Sequence, residues 1–220
     1  MNADLTLYLN SITVNSIKIE LLINALGIHP HIKSIALEKG EHRSASFLKL
    51  NPHGKVPVLV ESNLRLTESN AILQYLAASH NALWPASQKQ QAETLMWLFW
   101  LSNGWGASLG SLVHHRVVMP YWGFKSSSEK AEENLERFHQ QANYLNHALE
   151  DKRALVGRED TIADIGLGSY LIFAKEANIP LEKYPNIVAW LQHLQAKSWW
   201  QKTKQNLDTR LLEARPYCGY

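Results

Sequence analysis

The sequence is poor in cysteine: Cys218, near the C-terminal end, is the only one among 220 residues. A single cysteine excludes an internal disulfide framework, a zinc site built on two or more cysteines and a CxxC redox pair. No apolar run reaches the roughly 18 residues of a membrane span, and the start, MNADLTLYLNS, lacks a basic segment followed by an apolar one. We therefore expect a reducing, cytoplasmic environment and no membrane partner.

An excess of charge of one sign is also absent. Lys and Arg number 22 against 20 Asp and Glu, so the net charge is +2 with neutral His. This balance gives no reason to expect a nucleic-acid partner. Apolar residues nonetheless make up 45% of the chain and charged residues 19%, which allows a sizeable core and excludes wholesale disorder.

The first third of the chain alternates between strand and helix patterns. Short apolar or β-branched runs predict strands, and apolar residues at helical spacing predict helices. The predicted strands are 5–9, 32–37, 56–60 and 64–66, and the predicted helices are 15–26, followed by Gly27, and 69–79. The order is β-α-β, a long connection, and then β-β-α.

A loop over residues 81–87, containing Pro85, separates this part from a wholly helical one. The predicted helices of the second part are 88–118, 127–150, 161–176 and 186–204. We expect an α/β domain over 1–82 and an all-helical domain over 88–206. The tryptophan pair at 199–200 is expected to pack against the α/β domain.

Pro57 opens an apolar strand directly after a turn, in the segment NPHGKVPV over residues 51–58. A cis bond between Val56 and Pro57 would turn the N–H and C=O of Val56 toward open space. An extended peptide could pair with these groups as an added strand does. The alternative is an ordinary trans proline at the start of an edge strand.

Glu68 and Ser69 stand at the start of an apolar helical run. The Ser69 hydroxyl and the free N–H groups of the first turn suit an anion, and Glu68 suits an ammonium group. Side by side, the two residues could receive an amino-acid head group. The alternative is a simple helix N-cap.

The loop from Ser11 to Ser16 carries hydroxyl and amide side chains immediately before the first helix. Such groups donate hydrogen bonds to a thiolate, and the helix dipole favours its negative charge. Lowering a thiol pKa by about 2 units takes about 2.7 kcal/mol, which one charge-assisted hydrogen bond and the dipole could supply. The alternative is that these residues only cap the helix.

In their order and spacing, these motifs resemble the glutathione transferase family. The matching segments are 51–59, 68–72, Tyr75-Leu76 and 161–164, and the resemblance runs from about Leu5 to Lys204. It implies a thioredoxin-like α/β N-terminal domain followed by an all-α helical bundle. It also implies a homodimer that uses glutathione as co-substrate and needs no metal.

The resemblance also implies a glutathione site, residue by residue. The backbone of Val56 would pair with the cysteinyl part of the tripeptide, with Pro57 cis. Glu68 and Ser69 would hold the γ-glutamyl amine and carboxylate. The residues facing the glycyl end would be Lys55 and His42.

Thr13 matches the family's sulfur-activating position, with Asn15 two residues later. This pattern resembles bacterial groups with Thr-x-Asn or Ser-x-Asn, one of which is associated with glutathione-dependent disulfide-bond reductase activity. Ser11 and Ser16 are alternatives if the loop is shifted. Tyr8 is a poor match, because the family's tyrosine aligns nearer the next residue.

Thr161 and Asp164 match the family's C-terminal capping-box signature. Thr161 can accept a hydrogen bond from the N–H of Asp164, whose carboxylate can reach back to the N–H of Thr161. We interpret the pair as a folding device and not as a catalytic pair. Loss of such a cap costs about 1 kcal/mol, and roughly 2 kcal/mol where it is buried.

The second substrate is expected between the domains, against the aromatic-rich segment 97–116 and its surroundings. The candidate residues of this hydrophobic pocket are Trp105, His114, His115 and Trp122. Helix neighbours point about 100° apart, so the adjacent histidines do not suit a shared metal. The alternative is that the aromatic residues belong to the core.

These inferences favour a cytoplasmic glutathione transferase with a role in detoxification. The enzyme would stabilise the glutathione thiolate at Thr13 and direct its attack on a hydrophobic electrophile, by electrostatics and positioning. Two alternatives stay open: a glutathione-dependent disulfide-bond reductase, and a non-catalytic protein that binds glutathione or another ligand.

Overall fold

The computed structural model describes residues 5–214, and Cys218 lies outside the described residues. The strands in this range are β1 (Leu5–Leu9), β2 (His31–Ser34), β3 (Val58–Glu61) and β4 (Leu64–Leu66). The helices in this range are α1 (Val14–Leu26), α2 (Ala45–Leu50), α3 (Ser69–Ser79), α4 (Gln88–Trp100), α5 (Gly106–Val113), α6 (Met119–Tyr121), α7 (Ser128–Ala148), α8 (Ile162–Leu171), α9 (Pro185–Gln195) and α10 (Ser198–Ala214).

The four strands form one sheet in the order β2-β1-β3-β4. β1 pairs parallel with β2 across the α1 connection and antiparallel with β3, which forms a hairpin with β4. Leu5, Leu7 and Leu9 of β1 are buried in alternation, as the two-residue period of a strand requires. This thioredoxin-like α/β part, followed by helices alone, confirms the predicted fold class.

β2 is shorter than the sequence pattern predicts. The pattern predicts a strand over 32–37, but β2 ends three residues earlier and a 3-10 turn occupies 37–39. β1 ends at Leu9, whose C=O accepts the N–H of Ile35 at 2.8 Å. Beyond that bond β1 offers no further residue for pairing, so the chain turns away.

The bond between Val56 and Pro57 is cis, as the resemblance implies. The connection between β2 and β3 differs from the prediction at two points. One is that β3 begins after this bond, at Val58, and not at residue 56. The short helix α2 was not predicted, because six residues are too few to show an apolar period. Its N-cap is Ser44, whose Oγ accepts the N–H of Phe47 at 3.2 Å.

The predicted helix over 88–118 is present but carries two wide turns. π-helical segments at Leu101–Trp105 and His114–Val118 separate α4, α5 and α6. Each π-helical turn widens the helix and shifts the faces that follow it. No helix within residues 5–214 is long and apolar enough to cross a membrane.

The helices at the end of the chain are more divided than predicted. The segment 186–204 is two helices, α9 and α10, with a break at Ala196 and Lys197. At this break Lys197 Nζ lies 2.7 Å from the carboxylate of Asp160. Trp200 is buried, and its ring lies beside Gly168 of α8. The helix α10 contacts α1 of the α/β part through the pairs Thr203–Asn24 and Arg210–Glu20.

The predicted capping box opens α8. Thr161 Oγ1 accepts the N–H of Ala163 at 3.2 Å, and the Asp164 carboxylate accepts the N–H of Thr161 at 2.8 Å. The same carboxylate accepts the N–H of Leu155 at 2.9 Å and the indole N–H of Trp190 at 3.0 Å. Burial raises the pKa of Asp164, while these hydrogen bonds oppose that shift.

Candidate functional site

A cleft of about 340 Å³ lies between the α/β part and the helical part. One wall comes from the loop before α1 and the segment before β3. The other comes from α5, the π-helical segment after it, and α8. The predicted site residues that line this cleft are Thr13, Asn15, His42, Lys55, Val56 and His114.

The loop before α1 is held by hydrogen bonds between side chains and backbone. Asn10 Oδ1 accepts the N–H groups of Ile12 at 3.1 Å and of Thr13 at 3.2 Å. Ser16 Oγ accepts the N–H of Asn10 at 2.9 Å and the hydroxyl of Thr13 at 3.0 Å. Thr13 is thereby placed as the N-cap of α1, where the helix dipole favours an anion.

Thr13 is the only hydroxyl residue of the Ser11–Ser16 loop, within the described chain, that lines the cleft. Ser16 is fully buried beneath it. Ser11 lines a different cavity of about 600 Å³ between α1, β2 and α10. The Tyr8 ring packs edge-on against Phe47, with ring centroids 6.3 Å apart.

The segment before β3 is shaped by a turn that requires glycine. Gly54 has a φ of 60°, and a Cβ there would lie 3.0 Å from the backbone oxygen of His42. Glycine therefore lets this turn approach the 3-10 turn that carries His42. Asn51 Nδ2 donates to the C=O of Lys55 at 2.7 Å, and Val56 then follows in the cleft wall.

His42 and Lys55 form one end of the cleft. His42 Nδ1 is buried and has no hydrogen-bond partner among the described residues. A buried polar nitrogen without a partner destabilises the protein unless a ligand or water satisfies it. Lys55 is exposed and adds a cationic group. This end of the cleft therefore suits an anionic ligand group that can also pair with an imidazole.

The start of α3 adjoins the cleft through Asn15. Ser69 is buried, and its hydroxyl donates to Asn15 Oδ1 at 3.3 Å. Glu68 is exposed and is the N-cap of α3, but its side chain makes no capping hydrogen bond. Glu68 and Ser69 therefore stand beside the cleft wall, with a carboxylate and helix N-terminal N–H groups close together.

The sequence analysis missed Lys18, which lies directly behind Ser69. Lys18 is 2% exposed, and its Nζ donates to Ser69 Oγ at 3.1 Å and to Asn70 Oδ1 at 3.0 Å. Burial lowers the pKa of Lys18 to about 7, while the negative charge of Glu68 acts in the opposite direction. The available signal was a lysine inside the apolar run of α1, where a solvated side chain is out of place.

The helical wall contains residues that no sequence motif marked. A Cβ on Gly106 would lie 2.8 Å from the hydroxyl of Tyr170, so glycine lets this ring lie against α5. Burial raises the pKa of Tyr170 to about 12, so the phenol stays neutral. Val113 and Val118 supply apolar surface. Their spacing is that of ordinary core residues, which is why the sequence did not single them out.

The expected pocket residues divide into two groups. His114 lines the cleft, and its pKa is lowered by burial and by the neighbouring His115. The prediction for Trp105 is wrong: its side chain is fully buried, and its indole N–H donates to the C=O of Leu167 at 3.1 Å. The rings of His115 and Trp122 lie beside His114, with centroids 5.2 and 6.3 Å away, and do not line the cleft.

The cleft offers hydrogen-bond donors, the N-terminus of α1 and the cationic side chain of Lys55 to an extended anionic ligand, together with an apolar wall, and the start of α3 adjoins it. Within residues 5–214, no group of three or more His, Cys, Asp or Glu side chains could hold a metal ion. The chemistry that this arrangement supports is stabilisation of a bound anion beside an apolar second ligand.

Comparison with known families agrees with this geometry. The model "Glutathione S-transferase, N-terminal domain" matches residues 3–78, and "Glutathione S-transferase, C-terminal domain" matches residues 109–197. A glutathione S-transferase domain-containing protein of Dictyostelium discoideum is 31% identical over 206 residues, which cover 86% of this chain and 76% of the relative.

Two further comparisons extend the similarity. The disulfide-bond oxidoreductase YfcG of Escherichia coli is 28% identical over 192 residues, or 84% of this chain and 87% of YfcG. The structure of glutathione S-transferase-I bound with lactoylglutathione has a TM-score of 0.82 at 25% identity. That match covers 93% of this chain and 100% of the solved one.

The fold and the cleft define a class of proteins in which a thioredoxin-like part and a helical part share one ligand site. Within that class, the chain belongs to the glutathione S-transferase family, an enzyme family.

Proposed function

We propose that this chain is a glutathione transferase that activates the thiol of glutathione for attack on a hydrophobic electrophile. One observation carries the proposal: Thr13, Asn15, Lys55 and Val56 line a single cleft, and Ser69 contacts Asn15 at 3.3 Å. In this proposal residues 1–82 bind glutathione and residues 88–206 provide the hydrophobic wall.

The polar groups along the cleft match the parts of the tripeptide in order. The γ-glutamyl ammonium and carboxylate suit Glu68 and the start of α3 with Ser69. The main chain of the cysteinyl residue suits the backbone of Val56, which precedes the ladder of β3. The glycyl carboxylate suits Lys55 and the unpartnered Nδ1 of His42.

The sulfur would lie at Thr13, where a hydroxyl and a helix N-terminus meet. The hydroxyl would donate to the thiolate while α1 contributes its dipole. The proton leaves the thiol for solvent. With an aromatic halide as the electrophile, the thiolate sulfur bonds to the ring carbon, the bond from that carbon to the halogen breaks, and halide leaves with the bonding electron pair. No covalent intermediate on the protein is needed. The electrophile would pack on the apolar wall beside His114, Val113 and Val118.

Replacing Thr13 tests the proposal directly. Thr13→Ala is expected to raise the pKa of bound glutathione by about 1–2 units, because it removes one charge-assisted hydrogen bond to the thiolate. Ultraviolet titration of the thiolate measures this pKa, and conjugation to an aromatic halide should slow in parallel. Glutathione affinity should change little.

Thr13→Ser is the matched control, because it keeps the hydroxyl and should keep a low thiol pKa. An unchanged thiolate titration in Thr13→Ala would exclude Thr13 as the activating residue. A wild-type protein that binds glutathione without a thiolate absorbance band would favour the non-catalytic alternative.

Disulfide reduction is a second candidate, favoured by the similarity to YfcG together with the Thr13-x-Asn15 pattern. Two glutathione molecules would reduce one disulfide, giving oxidised glutathione and two thiols. No cysteine lies within residues 5–214, so none of these residues can form a mixed disulfide with glutathione. Parallel assays with an aromatic halide and with 2-hydroxyethyl disulfide separate the two activities.

We further propose that the chain is a homodimer with a cytoplasmic, detoxifying role. The support for the dimer is a patch of apolar, mostly aromatic side chains on α4 and α7, defined by Met96, Phe99, Trp100 and Tyr144 and called the exposed aromatic patch below. Phe99 is 65% exposed and Tyr144 is 53% exposed. An apolar patch of this kind typically marks a protein interface.

A further inference from the structure

Lys18 is a buried lysine next to the proposed γ-glutamyl site, and it has no role in the reaction proposed above. Its Nζ lies 3.1 Å from Ser69 Oγ and 3.0 Å from Asn70 Oδ1, and 5.8 Å from the centre of the Tyr170 ring. Lys18 itself does not line the cleft, whereas Tyr170 and Asn15, the residue that Ser69 contacts, do.

The hydrogen bonds around Lys18 form a chain that ends in the cleft. Lys18 donates to Ser69 Oγ, which leaves the Ser69 hydroxyl hydrogen directed at Asn15 Oδ1. The Asn15 side chain lines the cleft, and with its Oδ1 engaged its amide N–H groups are free to donate. Lys18 thus determines which groups at the start of α3 donate and which accept.

Asn70 accepts the second hydrogen bond of Lys18 and itself donates hydrogen bonds across the interface between the α/β part and the helical part. With its Oδ1 held by Lys18, Asn70 directs Nδ2 to the C=O of Leu98 at 3.0 Å and to Ser102 Oγ at 3.1 Å. A neutral or missing group at position 18 would release both Ser69 and Asn70 from these orientations.

We propose that Lys18 is a positioning residue for glutathione: its ammonium orients Ser69 and Asn70 and balances the charge of the γ-glutamyl carboxylate. This inference rests on the proposed function. Lys18 does not touch the ligand, but its positive charge lies one side chain behind the anion. In the low-dielectric interior of a protein, a positive charge one side chain away from an anion stabilises that anion strongly.

If Lys18 has this role, the affinity for the ligand depends on pH. The sign of this dependence follows from the coupling between proton binding by Lys18 and ligand binding. The buried ammonium of the free protein has a pKa of about 7. A bound carboxylate favours the ammonium and so raises the pKa of Lys18. Above about pH 7, ligand binding is therefore accompanied by the uptake of a proton by Lys18. The affinity falls as the pH rises, until the pH exceeds the pKa that Lys18 has in the complex.

Other titratable groups face the same region. From α3, Glu68 opposes the loss of the Lys18 charge, and from α8 Tyr170 stays neutral, with a pKa raised by burial to about 12. On α1 itself, Glu20 is two residues on and pairs with Arg210 of α10, on another face of the helix. The cleft also contains the titratable residues His42, His114 and Lys55.

The test measures binding of S-methylglutathione by titration calorimetry, because its blocked thiol cannot titrate. Wild-type affinity is expected to fall about tenfold between about pH 6.5 and about pH 8.5, with proton uptake near pH 8. Runs in two buffers of different ionisation enthalpy give the number of protons. Lys18→Met should lower affinity about tenfold at pH 6.5 and flatten the Lys18 part of the profile.

Two further variants make the test specific. Proton uptake by any other group persists in Lys18→Met, so the difference in uptake between wild type and this variant reports on Lys18. Lys18→Gln keeps a hydrogen-bond donor without the charge and should also lose the pH dependence of binding. It replaces Lys18→Met in the test if that variant does not fold. Lys202→Met, on the exposed side of α10, is the matched lysine-to-methionine control and should behave as wild type.

The outcomes separate this inference from the proposed function. If wild type and Lys18→Met bind S-methylglutathione with equal affinity and the same proton uptake, the role of Lys18 is overturned while glutathione binding stands. If wild type shows no binding, the proposed function itself fails. A purely structural role for Lys18 would lower thermal stability without changing the pH profile of binding, and that result also overturns the inference.

Discussion

Two hydroxyl groups lie 3.0 Å apart beneath the proposed sulfur position, on Thr13 and Ser16. The Thr13 hydroxyl donates to Ser16 Oγ, which also accepts the N–H of Asn10. Hydroxyl hydrogens rotate, so Thr13 can turn its hydrogen to a thiolate while Ser16 donates to Thr13. A pair of hydroxyls aligned in this way strengthens the outer hydrogen bond through polarisation.

We predict that Ser16→Ala raises the pKa of the bound glutathione thiol by about half a unit, which is less than the effect of Thr13→Ala. The reason is that Thr13 loses its donor but keeps its own hydroxyl. Ultraviolet titration of the thiolate measures the difference. Ser11→Ala is the control, since Ser11 lines the other cavity and should leave the titration unchanged. An effect of Ser11→Ala equal to that of Ser16→Ala would argue against the hydroxyl pair.

At the scale of single elements, the start of α8 shows how a short motif acquires more partners in three dimensions. A capping box needs only the first and last residues of a four-residue segment, here Thr161 and Asp164. Here the Asp164 carboxylate also binds Leu155 of the preceding loop and Trp190 of α9. The motif therefore joins a loop and two helices as well as capping the N-terminus of α8.

We predict that Asp164→Ala destabilises the protein by about 3–5 kcal/mol, because it leaves three buried N–H groups without an acceptor. Thr161→Ala should cost about 1–2 kcal/mol, as the loss of a cap does. Urea unfolding measures both changes. Neither residue lines the cleft, so S-methylglutathione affinity should be retained in the folded variants. Equal costs for the two variants would show that Asp164 acts as a cap alone.

At the scale of the whole molecule, the cleft exists because the two parts of the chain dock. Asn70 of α3 donates to the C=O of Leu98 in α4, and α1 packs on α8 and α10. Thr13, Asn15 and Lys55 come from the first part, and the apolar residues Val113 and Val118 come from the second. The cleft therefore depends on the interface between the parts as much as on either of them.

We predict that Phe99→Lys converts a dimer into a monomer at micromolar concentration, because it places a charge in the exposed aromatic patch. Sedimentation velocity measures the change in mass. The matched control is Leu212→Lys on α10, since Leu212 is 57% exposed but lies outside the patch. A monomeric wild type, or a dimer that survives Phe99→Lys, would contradict the proposed interface.

The sequence by itself determined the fold class and much of the proposed glutathione site. Local periodicity and hydrogen bonding predicted the strands, caps and turns around Thr13, Asn15, Lys55 and Val56. The roles of Thr13, Asn15 and Lys55 were predicted because their short motifs resemble the glutathione transferase family, and that of Val56 also because Pro57 opens a strand. The same holds for the capping box of α8.

Only the tertiary structure decided which side chains face the cleft from the helical part. Trp105 and His114 both stand in an aromatic-rich segment, but the first is core and the second lines the cleft. Lys18 and Ser69 are 51 positions apart, and the burial that lowers the pKa of Lys18 comes from the packing of α3 and α8. Burial and charge state depend on distant contacts, which no short stretch of sequence contains.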